Sequence, residues 1–146
     1  RLYYHRLEPH QEVATAMHKP LCALTMGDPA GIGPEVVLRT LFSRRAADIA
    51  RMVVIGYPEP FARDAALLNM DIILNLITEP SEMEAGPATV NLIVPGKKLY
   101  IPGDYGIVHP RCGMAAGRCI EMSAKLAMAG AVDAVVTAPI NKESLN

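Results

Sequence analysis

The stretch Leu24-Thr25-Met26-Gly27-Asp28-Pro29-Ala30-Gly31-Ile32-Gly33-Pro34-Glu35 decides how this chain is read. It follows an apolar run, Pro20 to Met26, with the character of a buried strand. It precedes Val36-Val37-Leu38-Arg39-Thr40-Leu41-Phe42, whose apolar residues recur at helical spacing. Three glycines and two prolines therefore sit at a strand-to-helix turn. Pro34 suits a first helical turn, where its missing N–H is not needed. Glu35 complements the positive end of the helix dipole. Glycines let the backbone turn sharply and approach a partner closely, and free N–H groups at a helix start favour anions.

The spacing G-x-x-x-G-x-G differs from the dinucleotide fingerprint G-x-G-x-x-G, and no Gly-Lys-Ser/Thr closes a P-loop. Chemistry alone leaves two readings open, a ligand-facing loop or a tight structural turn. Asp28 carries the same ambiguity. It is either a cleft-facing carboxyl group or an Asx turn bonded to its own backbone.

The 146 residues fit one domain, and 51% hydrophobic content supports a core. A net charge of −1 and 20% charged residues give no basic surface for nucleic acid. Aromatic residues are too few for a base-stacking platform. No apolar run reaches the length of a membrane span, and no apolar leader opens the chain. Cys22, Cys112 and Cys119 form no C-x-x-C and all three read as buried thiols of a reducing cytoplasm, the latter two seven apart on one helix face.

Arg1 to His18 lacks a clean period and is expected to be a mobile extension. A metal arm from His5, His10 and His18 has no recognised ligand spacing. Beyond it, strands are expected over Leu21–Met26, Arg51–Gly56, Ile72–Ile77, Thr89–Val94 and Val132–Ala138, the last buried. Helices are expected over Pro34–Ala50, Pro60–Asn69 and Pro110–Met128, the last with apolar positions Met114, Ala115, Ile120, Met122, Leu126 and Ala127. Another helix starts at Asn141. Lys97 to Pro110 is irregular, and Gly130 caps the long helix. This alternation predicts an α/β fold, a parallel or mixed sheet with flanking helices. Ligands collect past the C-terminal ends of such strands, where Gly27–Glu35 and Thr137–Glu143 both begin.

Thr137-Ala138-Pro139-Ile140-Asn141-Lys142 gathers a hydroxyl, an amide and an ammonium at a second strand-to-helix turn. Lys142 can pair with phosphate or carboxylate. A cation in the first turn opposes the dipole, which argues mildly against a purely solvated role. Asn141 either caps the helix or donates to a ligand. His109, before Pro110, reads as a surface or capping histidine. No catalytic Ser-His-Asp order, nucleophile elbow or H-E-x-x-H is present, so nothing supports a hydrolase.

As a string, Met26-Gly27-Asp28-Pro29-Ala30-Gly31-Ile32-Gly33-Pro34-Glu35 resembles the opening motif of the 4-hydroxythreonine-4-phosphate dehydrogenase family of vitamin B6 biosynthesis. Asp133-Ala134-Val135-Val136-Thr137-Ala138-Pro139-Ile140-Asn141-Lys142-Glu143 resembles a second motif of that family, and Gly106 to Gly130 resembles its long helix. The likeness spans Lys19 to Asn146. It extends to a branch that oxidises phosphorylated threonate-type sugar acids, and the motifs do not separate the two.

The resemblance implies an isocitrate/isopropylmalate dehydrogenase-like fold, incomplete here, in a cytoplasmic homodimer. It implies NAD- and divalent-metal-dependent oxidation, with decarboxylation, of 4-phosphooxy-L-threonine, an intermediate of pyridoxal phosphate biosynthesis. Zn, Mg or Co would serve as the cation. Asp28, Thr137, Asn141 and Lys142 are the expected substrate-binding residues. The family's Gly-His-Thr motif, metal-binding histidines, phosphate-binding cations and main NAD contacts have no counterpart here. Residues 19–146 are therefore expected to be the N-terminal portion of such an enzyme, inactive alone, with the metal ligands outside it. A non-catalytic anion-binding α/β module is the competing reading. A phosphotransacetylase-type acyl-phosphate transferase is a third, disfavoured by Gly27–Glu35.

Overall fold

A computed structural model describes residues 19–97, 99, 101 and 103–145. The proposed mobile extension and the histidine arm lie outside the described residues. Five strands form one sheet, β1 (Leu21–Thr25), β2 (Arg51–Ile55), β3 (Ile73–Ile77), β4 (Thr89–Ile93) and β5 (Ala134–Thr137). Their order is β3-β4-β2-β1-β5, and every pairing is parallel. The parallel alternative of the sequence reading is the one realised.

The helices are α1 (Gly33–Leu41), α2 (Arg44–Ile49), α3 (Pro58–Leu67), α4 (Pro110–Met128) and α5 (Lys142–Leu145). From β1 the chain steps to β2 and then outward to β3, whereas β4 to β5 runs in the opposite direction across the sheet. Right-handed crossovers therefore put α1 and α3 on one face and α4 on the other. The packing of α1 on α3 and of α4 on β1, β5 and α5 agrees. β1 leads into α1 on one face and its neighbour β5 leads into α5, which packs on α4 on the other, so their connections diverge and leave a crevice at the C-terminal ends of β1 and β5, where such sheets take ligands.

The core fills the sheet's centre. Ala23, Val53, Val54, Ile55, Val90 and Leu92 are fully buried, and Leu38 and Phe61 close one face. On the other face α4 meets β1 through small residues, Cys112, Ala115, Ala116, Cys119 and Ser123. This stripe differs from the expected one. Met114 is 48% exposed, while short side chains let the helix lie close to the strand.

Three other expectations are corrected. The helix over Pro34–Ala50 is two helices. Thr40 Oγ1 donates back to the Val36 carbonyl at 2.8 Å, a bond that loosens a helix end. Ser43 then turns extended (φ −80°, ψ 122°) at the start of α2, where serine is favoured. α3 begins at Pro58, two residues early, because first-turn positions need no N–H partner and accept proline. It stops before Asn69, which adopts a left-handed φ of 52°. Last, β5 is exposed along its length. Among the described residues it pairs only with β1 at the sheet edge, so its apolar composition does not translate into burial there.

Candidate active-site cleft

The loop after β1 and the loop after β5 touch directly. Gly27, at φ +72°, packs against Pro139 so closely that a Cβ would overlap the Pro139 carbonyl oxygen. The next residue, Asp28, donates its backbone N–H to that same carbonyl at 2.9 Å. A Cβ on Gly33 would likewise overlap the Met26 carbonyl oxygen, so the start of α1 abuts the end of β1. Both glycines are consumed by contacts within the protein. They do not fit a cradle for a dinucleotide pyrophosphate, which needs glycines facing the ligand.

Between the two loops lies an open cleft of about 610 Å³. Asp28, Gly31 and Ile32 line one side, and Pro139 to Glu143 the other. A cleft of similar volume, about 540 Å³, lies at the opposite ends of the strands between Arg44 and Pro87. The first contains both motifs and sits at the C-terminal ends of β1 and β5, so it is the candidate site.

Asp28 is buried, 5% exposed, and its Oδ1 accepts from the Ala30 N–H at 2.9 Å. The side chain thus makes the Asx turn, and the residue also borders the cleft. The two readings left open by the sequence coexist. Asn141 Oδ1 accepts from the Glu143 N–H at 2.9 Å and, more weakly, from the Ser144 N–H at 3.4 Å. It caps α5, and the residue still lines the cleft. Lys142 is exposed at the rim. Thr137 ends β5, in register with Thr25, and is not among the cleft-lining residues. Asp28, Asn141 and Lys142 are therefore brought together, and Thr137 stands beside them.

His109 Nδ1 accepts from the Arg111 N–H at 3.1 Å, so His109 caps α4. Its own N–H donates to Ser144 Oγ at 3.3 Å, which ties the starts of α4 and α5. Beneath the Asp28 loop lie two thiols of α4. Burial, and next the nearby Asp28 charge, push the Cys112 thiol up. Burial pushes Cys119 up to about 12. Both are inert neutral groups at physiological pH. No group of three His, Cys, Asp or Glu among the described residues has the arrangement of a metal site. The residues described do not fit a resident divalent cation.

Sequence reasoning missed the support behind this cleft. Arg63, Asp64 and Tyr105 form a cluster that holds the Asp28 loop against the Gly103–Gly106 turn. Gly113 receives α5. The only local signal was the arginine-acid pair next to a tyrosine-bearing turn 40 residues on.

A family model described as pyridoxal phosphate biosynthetic protein PdxA matches residues 48–146. The chain belongs to this family. It is 39% identical over 129 residues to D-threonate 4-phosphate dehydrogenase of Pectobacterium atrosepticum, covering 86% of this chain and 39% of that protein. It is 35% identical over 127 residues to 4-hydroxythreonine-4-phosphate dehydrogenase of Desulfosudis oleivorans, covering 87% and 37%. The crystal structure of a 4-hydroxythreonine-4-phosphate dehydrogenase from Burkholderia phymatum superposes with a TM-score of 0.82 at 33% identity, over 88% of this chain and 39% of that one. The chain thus spans about two fifths of the length of the relatives it matches. These relatives are dehydrogenases by name, and the sheet with flanking helices is shared with the matched part of the Burkholderia phymatum structure. Among the described residues no helix is long and apolar enough to cross a membrane.

Proposed function

We propose that this chain forms the hydroxy-acid side of the active-site cleft of an NAD-dependent, metal-assisted dehydrogenase acting on a phosphorylated hydroxy acid. The observation that carries the reading is the junction of the two family motifs at one cleft, through Gly27 and Asp28 against Pro139. Lys142 supplies a cation for the substrate's phosphate or carboxylate. Asn141, its oxygen spent on the cap, keeps its amide N–H groups as donors. Asp28 offers an acceptor for a substrate hydroxyl, and Thr137 adds a hydroxyl beside the cleft at the end of β5. A nicotinamide cofactor and a divalent cation would be held by residues outside those described, and would supply a hydride acceptor and a Lewis acid there. The residues described here orient the substrate instead. The family resemblance also supports a cytoplasmic homodimer.

4-Phosphooxy-L-threonine, on the route to pyridoxal phosphate, is the first candidate substrate. D-threonate 4-phosphate is the second, favoured by the names of several relatives. Protein expressed from its full reading frame, given NAD, a divalent cation and each compound in turn, is expected to form NADH with one of them. Absence of NADH with both, from folded protein, overturns the reading.

A further inference from the structure

Arg63 projects from α3, outside the cleft, and its side chain engages four partners. Nη2 donates to the Pro29 carbonyl at 2.8 Å and Nη1 to the Gly103 carbonyl at 3.2 Å. Nε donates to Asp64 Oδ1 at 2.8 Å. The guanidinium lies 3.8 Å from the centroid of the Tyr105 ring. The Tyr105 hydroxyl donates to the same Asp64 oxygen. Between the two loops so joined, the Gly106 N–H donates to the Ala30 carbonyl at 2.7 Å. Pro29 and Ala30 directly follow Asp28.

Asp64 is 2% exposed, and its second oxygen is buried with no partner among the described residues. Burying a carboxylate with an unpaired oxygen costs stability, and buried ion pairs rarely repay that cost against apolar replacements. Stability alone therefore does not account for the cluster. Its geometry does something that apolar packing would not. A planar fork reads two carbonyls from separate loops at fixed directions, and Tyr105 holds the fork from its face. Lysine, a point charge on a flexible stem, would not reproduce this.

We propose that Arg63, fixed by Asp64 and Tyr105, is a positioning residue for the reaction, setting the place of the Asp28 carboxyl group in the cleft. The proposal rests on the reading of that cleft as a phosphorylated hydroxy-acid site. Arg63→Gln combined with Asp64→Asn removes both charges together and leaves no unpaired buried charge to unfold the chain. In this variant, amide exchange at Ala30 and Gly106 should accelerate about tenfold or more, with the β1 and β2 amides unchanged. The KM for the phosphorylated substrate should rise about tenfold while the KM for NAD stays within about twofold. Tyr105→Phe removes a single hydroxyl and should shift the same quantities less, and Arg63→Lys should not restore them. Unchanged exchange at Ala30 and Gly106 overturns the proposal, as does an equal rise in both KM values. A parent protein without turnover overturns the functional reading instead, and the exchange comparison still decides whether Arg63 holds the loop.

Discussion

Gly113 on α4 lies directly against the carbonyl of Ser144 on α5, and a Cβ at Gly113 would overlap that oxygen. The contact fixes the short helix that carries Lys142 and Glu143 at the cleft. Alanine in place of a mid-helix glycine ordinarily favours the helix by roughly 1 kcal/mol. Here the sign reverses, because the obstacle is backbone. Gly113→Ala should cost about 1–3 kcal/mol in denaturant unfolding through overpacking. It should also raise the KM for the phosphorylated substrate, since α5 must move. A variant as stable as the parent would show that α5 is free to shift.

Asn141 combines two jobs that substitution can separate. Asn141→Ala removes the Oδ1 cap of Glu143 and Ser144 and should lower stability by about 1 kcal/mol. Asn141→Ser supplies another capping oxygen and should restore stability to within about half a kcal/mol. Serine lacks the amide N–H groups. If these donate to substrate as proposed, the KM stays elevated in Asn141→Ser. Recovery of both quantities would reduce Asn141 to a cap.

Lys142 should behave in the opposite way. It is exposed, and as a cation in the first turn of α5 it opposes the helix dipole. Lys142→Ala should therefore leave thermal stability unchanged or slightly raised. Loss of one charge-assisted contact should raise the KM for the phosphorylated substrate about tenfold or more. Lys142→Arg should recover part of it. Equal KM values for all three proteins would exclude an anion contact.

The location of the cleft was legible because two local rules coincide. Each motif joins a strand end to a helix start, and parallel α/β sheets use that edge for ligands. The starts of β1, β2 and β4 and both bounds of α4 followed from apolar runs and from Gly and Pro punctuation, each of those strands ending one residue earlier than expected. What escaped was non-local. Arg63 and Gly103 are 40 residues apart, and Gly113 and Ser144 are 31 apart in number, with no periodicity linking either pair. The small-residue stripe of α4 was only half visible, because Cys112 and Cys119 share a face by their spacing whereas Ser123 carries little hydrophobic signal and Met114, which carries more, faces out. β5 misled for a related reason. Its composition reports a strand, but its exposure depends on which strands flank it.

The thiols allow a prediction with a definite pH sign. Burial raises the Cys119 thiol from an ordinary value of 9.0 to about 12, so the fold favours the protonated form. The unfolded chain loses this proton near its ordinary value, while the folded chain retains it. The contribution of Cys119 to stability is therefore complete below about pH 9 and is lost as pH rises toward about 12. The denaturant midpoint should fall across that window, and Cys119→Ala should flatten the fall while lowering stability at neutral pH through the lost packing. Reactivity toward a chromogenic disulfide at neutral pH offers an independent check. Against the expectation of three buried thiols, Cys22 is only half-buried, whereas Cys112 and Cys119 are buried, so Cys22 should react first in native protein and the other two only on unfolding. Equal rates for all three thiols would mean that α4 does not stay packed on β1, and the alkaline fall should then vanish as well.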